Sequence, residues 1–289
     1  PLTRPEAVQS GESISGSKIP LIPVFAPYFF EATKIEEPAR SLGVCVAYTA
    51  MARLFIRRYP SLPPTLLSHF YDSLLFGLRG SDRAVWWAIL TSCYHIFSSP
   101  LPGSSFLISA FVTRAKDLLV ASYNPPAGSS LTPCILGRQK LLSLLGSLLC
   151  YSSHFPALDL DPLTSGTPIP GQRFTANALR ETLHSTLIAV LYAPQMQTES
   201  KVAGVWSLVV AVAEELAHFD GERVGDLVHA ILLSISGDDQ IVSRTSLQAI
   251  SHLSSYGKSL RPELANSVID GLCTVILTQE VNDQVMPYV

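Results

Sequence analysis

The chain has 289 residues, 47% of them hydrophobic and only 15% charged, with a mean hydropathy of +0.30 and a formal charge of −3. So much apolar material with so little charge excludes a disordered chain, and 20 Lys and Arg against 23 Asp and Glu leave no basic excess for nucleic acid as a main partner. The charged fraction is well below the roughly 25% usual for soluble domains, so part of the apolar surface is expected to be covered by another molecule.

Residues 1–35 mix glycines, serines and the Pro20, Pro23, Pro27 series with Phe25, Tyr28, Phe29 and Phe30. They read as a flexible or extended segment whose aromatics dock on the folded body. From 36 onward the period is helical. A first helix carries Leu42, Cys45, Val46, Thr49, Met51, Leu54 and Phe55, and the prolines at 60, 63 and 64 end it and start a second. The second holds Leu66, Leu67, Phe70, Leu74, Leu75 and Leu78 and stops at Arg79-Gly80. Ser81-Asp82 then supplies the N-cap of a third, with Trp86, Ile89, Leu90, Cys93 and Phe97 on one seam. A fourth follows Pro102-Gly103.

Residues 84–113 contain no Asp, Glu, Lys or Arg, long enough on paper for a membrane span of about 20 residues. The Ser98–Ser105 stretch, with two prolines and a glycine, cuts it in half, so two short buried helices explain it better than a span. A fifth helix over 133–151 is apolar nearly all round and must be covered on more than one side. After a Pro/Gly-rich loop over 156–171, further helices are expected at 172–192, 200–218, 222–236, 238–255 and 262–278. No stretch alternates with period two long enough for a strand. Helical pairs at 36–78, 82–122, 172–218 and 222–255 fit repeat units near 40 residues. The expected fold is all-α, a HEAT/armadillo-like α-solenoid of about five hairpins, its first part at 36–155 and its second at 172–289.

Cys45, Cys93, Cys134, Cys150 and Cys273 are scattered without a CxxC pair. That is expected of reduced, intracellular thiols, and the location is expected to be cytoplasmic. Pro1 in place of Met is expected to mark a fragment of something longer.

No phosphate-binding glycine loop, zinc signature or nucleophile elbow occurs, and no catalytic residue, cofactor or metal is expected. The weaker constellations each have a plain competitor. Ser68, His69 and Asp72 read as a surface hydrogen-bonding group, because sequence neighbours on a helix diverge. Glu214, Glu215 and His218 have metal-compatible spacing but no third protein ligand of the kind catalytic zinc takes. Asp159 and Asp161 lack the further oxygens that calcium requires. Arg53, Arg57 and Arg58 are either a solvated helix end complementing the dipole or a contact for phosphate or an acidic partner. Trp86 and Trp87 project about 100° apart. Trp87, aligned with Tyr94 at i+7, is either a contact to the next hairpin or a partner-facing aromatic patch.

Several segments carry a family resemblance. Pro63–Tyr71 followed by Leu75-Phe76-Gly77-Leu78, Ile89–Ser92 leading to Ile96-Phe97-Ser98, Arg138–Phe155, and Glu214-Glu215-Leu216-Ala217-His218 occur in the family's order. They resemble the non-catalytic helical region of Ral GTPase-activating protein subunits and tuberin. The resemblance implies a scaffold segment of a complex that accelerates GTP hydrolysis by a Ras-like small GTPase of the Ral or Rheb class. Its partners would be another subunit and, through the wider protein, the GTPase. In that family a separate C-terminal domain inserts a catalytic asparagine, and nothing here matches that domain. The alternative is a helical adaptor or trafficking scaffold unrelated to GTPase activation.

Overall fold

A computed structural model of the chain describes residues 21–35, 37–56, 62–121, 123–125, 133–156 and 174–256, with several positions between 262 and 273. The segment 1–20, Arg57, Arg58, and the loop that holds Asp159 and Asp161 lie outside the described residues. Among the described residues all regular structure is helical: α1 (Leu21–Thr33), α2 (Ser41–Phe55), α3 (Pro64–Arg79), α4 (Arg83–Ser92), α5 (Ile108–Val120), α6 (Cys134–Gly146), α7 (Tyr151–His154), α8 (Ala176–Tyr192), α9 (Thr198–His218), α10 (Val224–Ile235) and α11 (Gln240–Ser254). The described positions between 262 and 273 are helical as well.

The helices pack in two rows. One runs α2, α4, α6, α9, α11, each against the next. The other runs α3, α5, α8, α10, and α1 lies against α2 and α3 at the beginning. Consecutive helices cross between rows, as in α3 on α4, α5 on α6, α8 on α9 and α10 on α11. One connected apolar core extends from Ile22 to Leu253.

Hydrogen bonds at helix starts hold the register along the first row. Asp82 is the N-cap of α4, accepting from Ala84 N–H, and its other oxygen accepts from Ser41 Oγ at the start of α2 at 2.5 Å. The same device recurs at the far end. Asp239 caps α11 through the N–H groups of Ile241 and Val242 and accepts from Thr198 Oγ1, at the start of α9, at 2.5 Å. Both links span 41 residues. Burial works against ionisation of Asp239, but those three hydrogen bonds and Lys201 outweigh it and hold the carboxyl below its usual range. The charge is therefore kept where the α11 N-terminus favours it.

The expected extended stretch before residue 35 is instead helix α1, with Pro27 inside it. Pro23 lies in the first turn, where N–H groups have no helical partner anyway, so only Pro27 costs an internal bond. Ile22, Ala26 and Phe30 repeat every four residues and are buried, while Phe25 and Tyr28 are exposed. Phe30 meets Phe55, which stacks on Phe70 at 4.5 Å. Burial of that stripe, roughly 1.5–3 kcal/mol per large side chain, outweighs one missing hydrogen bond.

Two expected helices are shorter than their periodicity. The α4 seam runs on through Cys93 and Ile96, both buried, but the helix ends at Ser92 and continues as a 3₁₀ turn at Ile96–Ser98. A left-handed Gly103 (φ 78°) then starts the turn leading into α5. The helix expected over 133–151 breaks after Gly146, where Leu148, Leu149 and Tyr151 make tighter bonds to carbonyls three residues back. No described helix is long and apolar enough to cross a membrane.

Helices α4 and α6 are tightly packed at Gly137. A Cβ on Gly137 would lie under 3.0 Å from three atoms of the Trp87 ring. Gly137→Ala is expected to destabilise the chain by about 1–3 kcal/mol through overpacking, read from the urea midpoint. Gly146→Ala, whose Cβ would meet Ser207 Oγ at 3.8 Å, is expected to cause no loss.

Candidate partner-binding surface

The aromatic patch expected at Trp87 and Tyr94 is not one surface. Trp87 is 1% exposed, against Gly137 and Tyr123, so it makes the contact to the next hairpin and offers no face to a partner. Trp86 is also covered: its Nε1 donates to Gly80 O at 2.9 Å and the Arg114 guanidinium lies 4.0 Å above its ring. Tyr94, just beyond the α4 C-cap, is half-buried with its ring surface reached by a charged side chain. Lys140 Nζ, from α6, sits 5.0 Å from the Tyr94 ring centroid, within cation–π range. The His95 ring lies 3.8 Å from the other ring.

Arg53, in the last turn of α2, is exposed. Burial lowers the Lys140 pKa and the Arg53 charge lowers it further, so the two cations share one electrostatic neighbourhood. The end of α2, the turn after α4 and helix α6 thus bring Arg53, Tyr94 and Lys140 together. Sequence reading found the first two separately and missed Lys140, whose signal was the polar run Arg138-Gln139-Lys140 inside a leucine-rich helix.

The other constellations do not form reaction centres. His69 is edge-on to Phe30 at 5.8 Å. With Asp72, Leu66 and Phe76 it lines a groove of about 680 Å³ between α1 and α3. On the far side of Phe76 a recess of about 750 Å³ reaches Ser41 and Asp82. Glu214 and Glu215 diverge. Glu214 accepts from Ser153 Oγ at 2.6 Å, whereas Glu215 is buried beside Arg180 Nε at 3.4 Å. His154 Nδ1 lies 2.9 Å from Cys150 O and 3.2 Å from Ser153 Oγ. A ring nitrogen that donates to a carbonyl cannot take a serine proton, so no nucleophile–base pair exists there. Burial, then the hydrogen bond and charge of Glu214, push the Cys150 thiol up to about 11, which keeps it protonated. Among the described residues no three His, Cys, Asp or Glu side chains come together to hold a metal.

Over most of its length the chain is homologous to Ral GTPase-activating protein subunits. It is 28% identical over 249 residues to Ral GTPase-activating protein subunit alpha-2 of Mus musculus, covering 84% of this chain and 12% of that protein. It is 24% identical over 265 residues to subunit alpha-1 of Rattus norvegicus, covering 90% of this chain and 12% of that protein. A Rap-GAP domain-containing protein of Dictyostelium discoideum is 26% identical over 162 residues, 52% of this chain and 9% of that protein. The chain therefore matches about an eighth of the length of its alpha-subunit relatives. No protein-family model and no solved structure matches it.

Behind the first row, Glu215 of α9 faces Arg180 and His184 of α8. Burial lowers His184 to about 4, with Arg223 and Arg180 adding to the shift, while burial raises Glu215 against the pull of the same two arginines. A depressed histidine is neutral in the fold and takes a proton on unfolding, so its stability is complete above pH 6.5 and lost as pH falls toward 4. Raised Glu215 acts in the opposite sense, costing stability as pH rises past its unfolded value. Between pH 7 and 5 the chain is expected to lose about 2 kcal/mol through His184. In His184→Phe, unfolding free energies from urea titrations at the two pH values should converge by that amount.

Proposed function

Starting from homology to Ral GTPase-activating protein alpha subunits over most of the chain, we propose that these residues are a non-catalytic, cytoplasmic scaffold segment of a GTPase-activating complex. The complex acts on a Ras-like small GTPase of the Ral or Rheb class, and the segment positions a catalytic domain carried elsewhere and holds a partner subunit. The observation that carries this reading is the length of the match, 84% and 90% of the chain to the two alpha subunits.

The segment is a HEAT/armadillo-like array of helical hairpins. Support comes from the two rows of helices and from the recurring 41-residue link between helix starts, Ser41 to Asp82 and Thr198 to Asp239. The second row adds an ion pair from Glu181 to Arg223, 42 residues apart. Interior joints fix the spacing of such an array, and its outer faces are left for partners.

The isolated 289-residue chain is expected to leave GTP hydrolysis by Ral or Rheb at its intrinsic rate in a single-turnover assay. Immobilised, it should retain the partner subunit of the parent complex. Stimulated hydrolysis by the chain alone would overturn the non-catalytic reading, and failure to retain the subunit would overturn the scaffold.

A further inference from the structure

We infer that the Arg53–Tyr94–Lys140 surface is a docking site for a short acidic peptide segment carrying apolar side chains. Assigning that segment to a partner subunit rests on the scaffold reading above.

Arg53 and Lys140 share one electrostatic neighbourhood here. Neither Arg53 nor Lys140 forms an ion pair among the described residues, where other cations such as Arg114, Arg180 and Arg223 do. Lys140 is half-buried, its ammonium held above Tyr94. A partly desolvated ammonium in the field of another cation gains more from an incoming carboxylate than a solvated lysine does. His95, exposed at the same edge and ring to ring with Tyr94, adds a hydrogen-bond donor.

The surface is also apolar beside the charges. Leu136 lies one turn before Lys140 on α6, and Val46 two turns before Arg53 on α2, which places each on the same helix face as its cation. They are 46% and 44% exposed. A carboxylate-bearing segment could thus pair with the cations at one end and cover the aliphatic side chains at the other.

The same numbers argue against a lipid surface or a nucleic acid. Lipid recognition by electrostatics takes about 4–8 clustered basic residues, and nucleic-acid binding takes several phosphate contacts in a positive field. Here two described cations sit on a chain of net charge −3.

The test is a titration of the full 289-residue chain against a fluorescein-labelled twelve-residue peptide of alternating glutamate and leucine, read by anisotropy. Arg53→Glu, at an exposed position, and Lys140→Glu should each weaken binding roughly tenfold or more. Arg79→Glu, the same charge change in the second row, should leave it unaltered. Melting temperatures of all variants establish that they fold, and Arg53→Glu serves if Lys140→Glu does not. The inference is overturned if wild type does not bind the peptide, if the three reversals weaken it equally, or if phosphatidylserine vesicles or inorganic phosphate compete as well as the unlabelled peptide. A chain that enters the parent complex yet ignores the peptide sinks this inference alone. A chain that binds the peptide but never retains the subunit supports the acidic-peptide site and sinks the scaffold.

Discussion

The structure depends on helices that share apolar walls. A helix at a surface needs one apolar stripe, but α4 packs on α2, α3, α5 and α6, and α6 on α4, α5 and α9. Such helices can spare almost no polar face. In α6 the residues Leu141, Leu142, Leu144 and Leu145 are all at most 1% exposed, which takes up an arc of roughly 160° of the helix. The low charge content follows from the architecture: positions that would carry solvating groups on an isolated hairpin are taken by contacts to its neighbours.

Shared walls hold helices together without fixing how far each slides along the next, because dispersion and burial are non-directional. The polar links at the helix starts supply the missing direction. Asp82 and Asp239 cap their own helices and tie them to the start of the previous helix in the row. With starts aligned, residues of α2 have their counterparts on α4 about 41 positions later, and the same offset recurs between α9 and α11. Thr49 and Ser92, joined by a hydroxyl–hydroxyl bond at 3.2 Å, keep the same alignment deeper along α2 and α4.

Much of this was legible in the sequence wherever local chemistry decides the outcome. Asp82 announced its cap, and the last helices fall within a few residues of their expected limits, because Ala193-Pro194, Asp220-Gly221 and Ser236-Gly237 leave the chain little choice. Helix α1 was not legible, since a proline series argues locally for extension and only the tertiary contacts of Ile22, Ala26 and Phe30 reverse that preference. Trp87 shows the same limit. Helical geometry states that it and Trp86 face different ways, but whether the second direction is solvent or another helix depends on neighbours far along the chain. Glu215 is similar: the 214/215/218 spacing drew attention to a metal, and the fold uses Glu215 instead to neutralise Arg180 between rows. Lys140 follows Arg138 and Gln139 in sequence, and its place beside Tyr94 became visible only once α4 and α6 were side by side.

The position of the cationic surface on the array bears on how it can work. The α1–α3 groove is a concavity of about 680 Å³, but its charges are largely paired internally, Lys34 with Glu31 and, nearby, Arg40 with Glu37, so a partner would gain little from them. Arg53 and Lys140 form no ion pair among the described residues, and Lys140, held over the Tyr94 ring, is already partly ordered by the fold. A surface of two cations, an aromatic ring and two aliphatic side chains is too small for tight binding alone. Weak patches at fixed separations act together, each raising the effective concentration for the next. Rigidity between patches then matters more than the strength of any one of them, and the aligned rows of helices provide it.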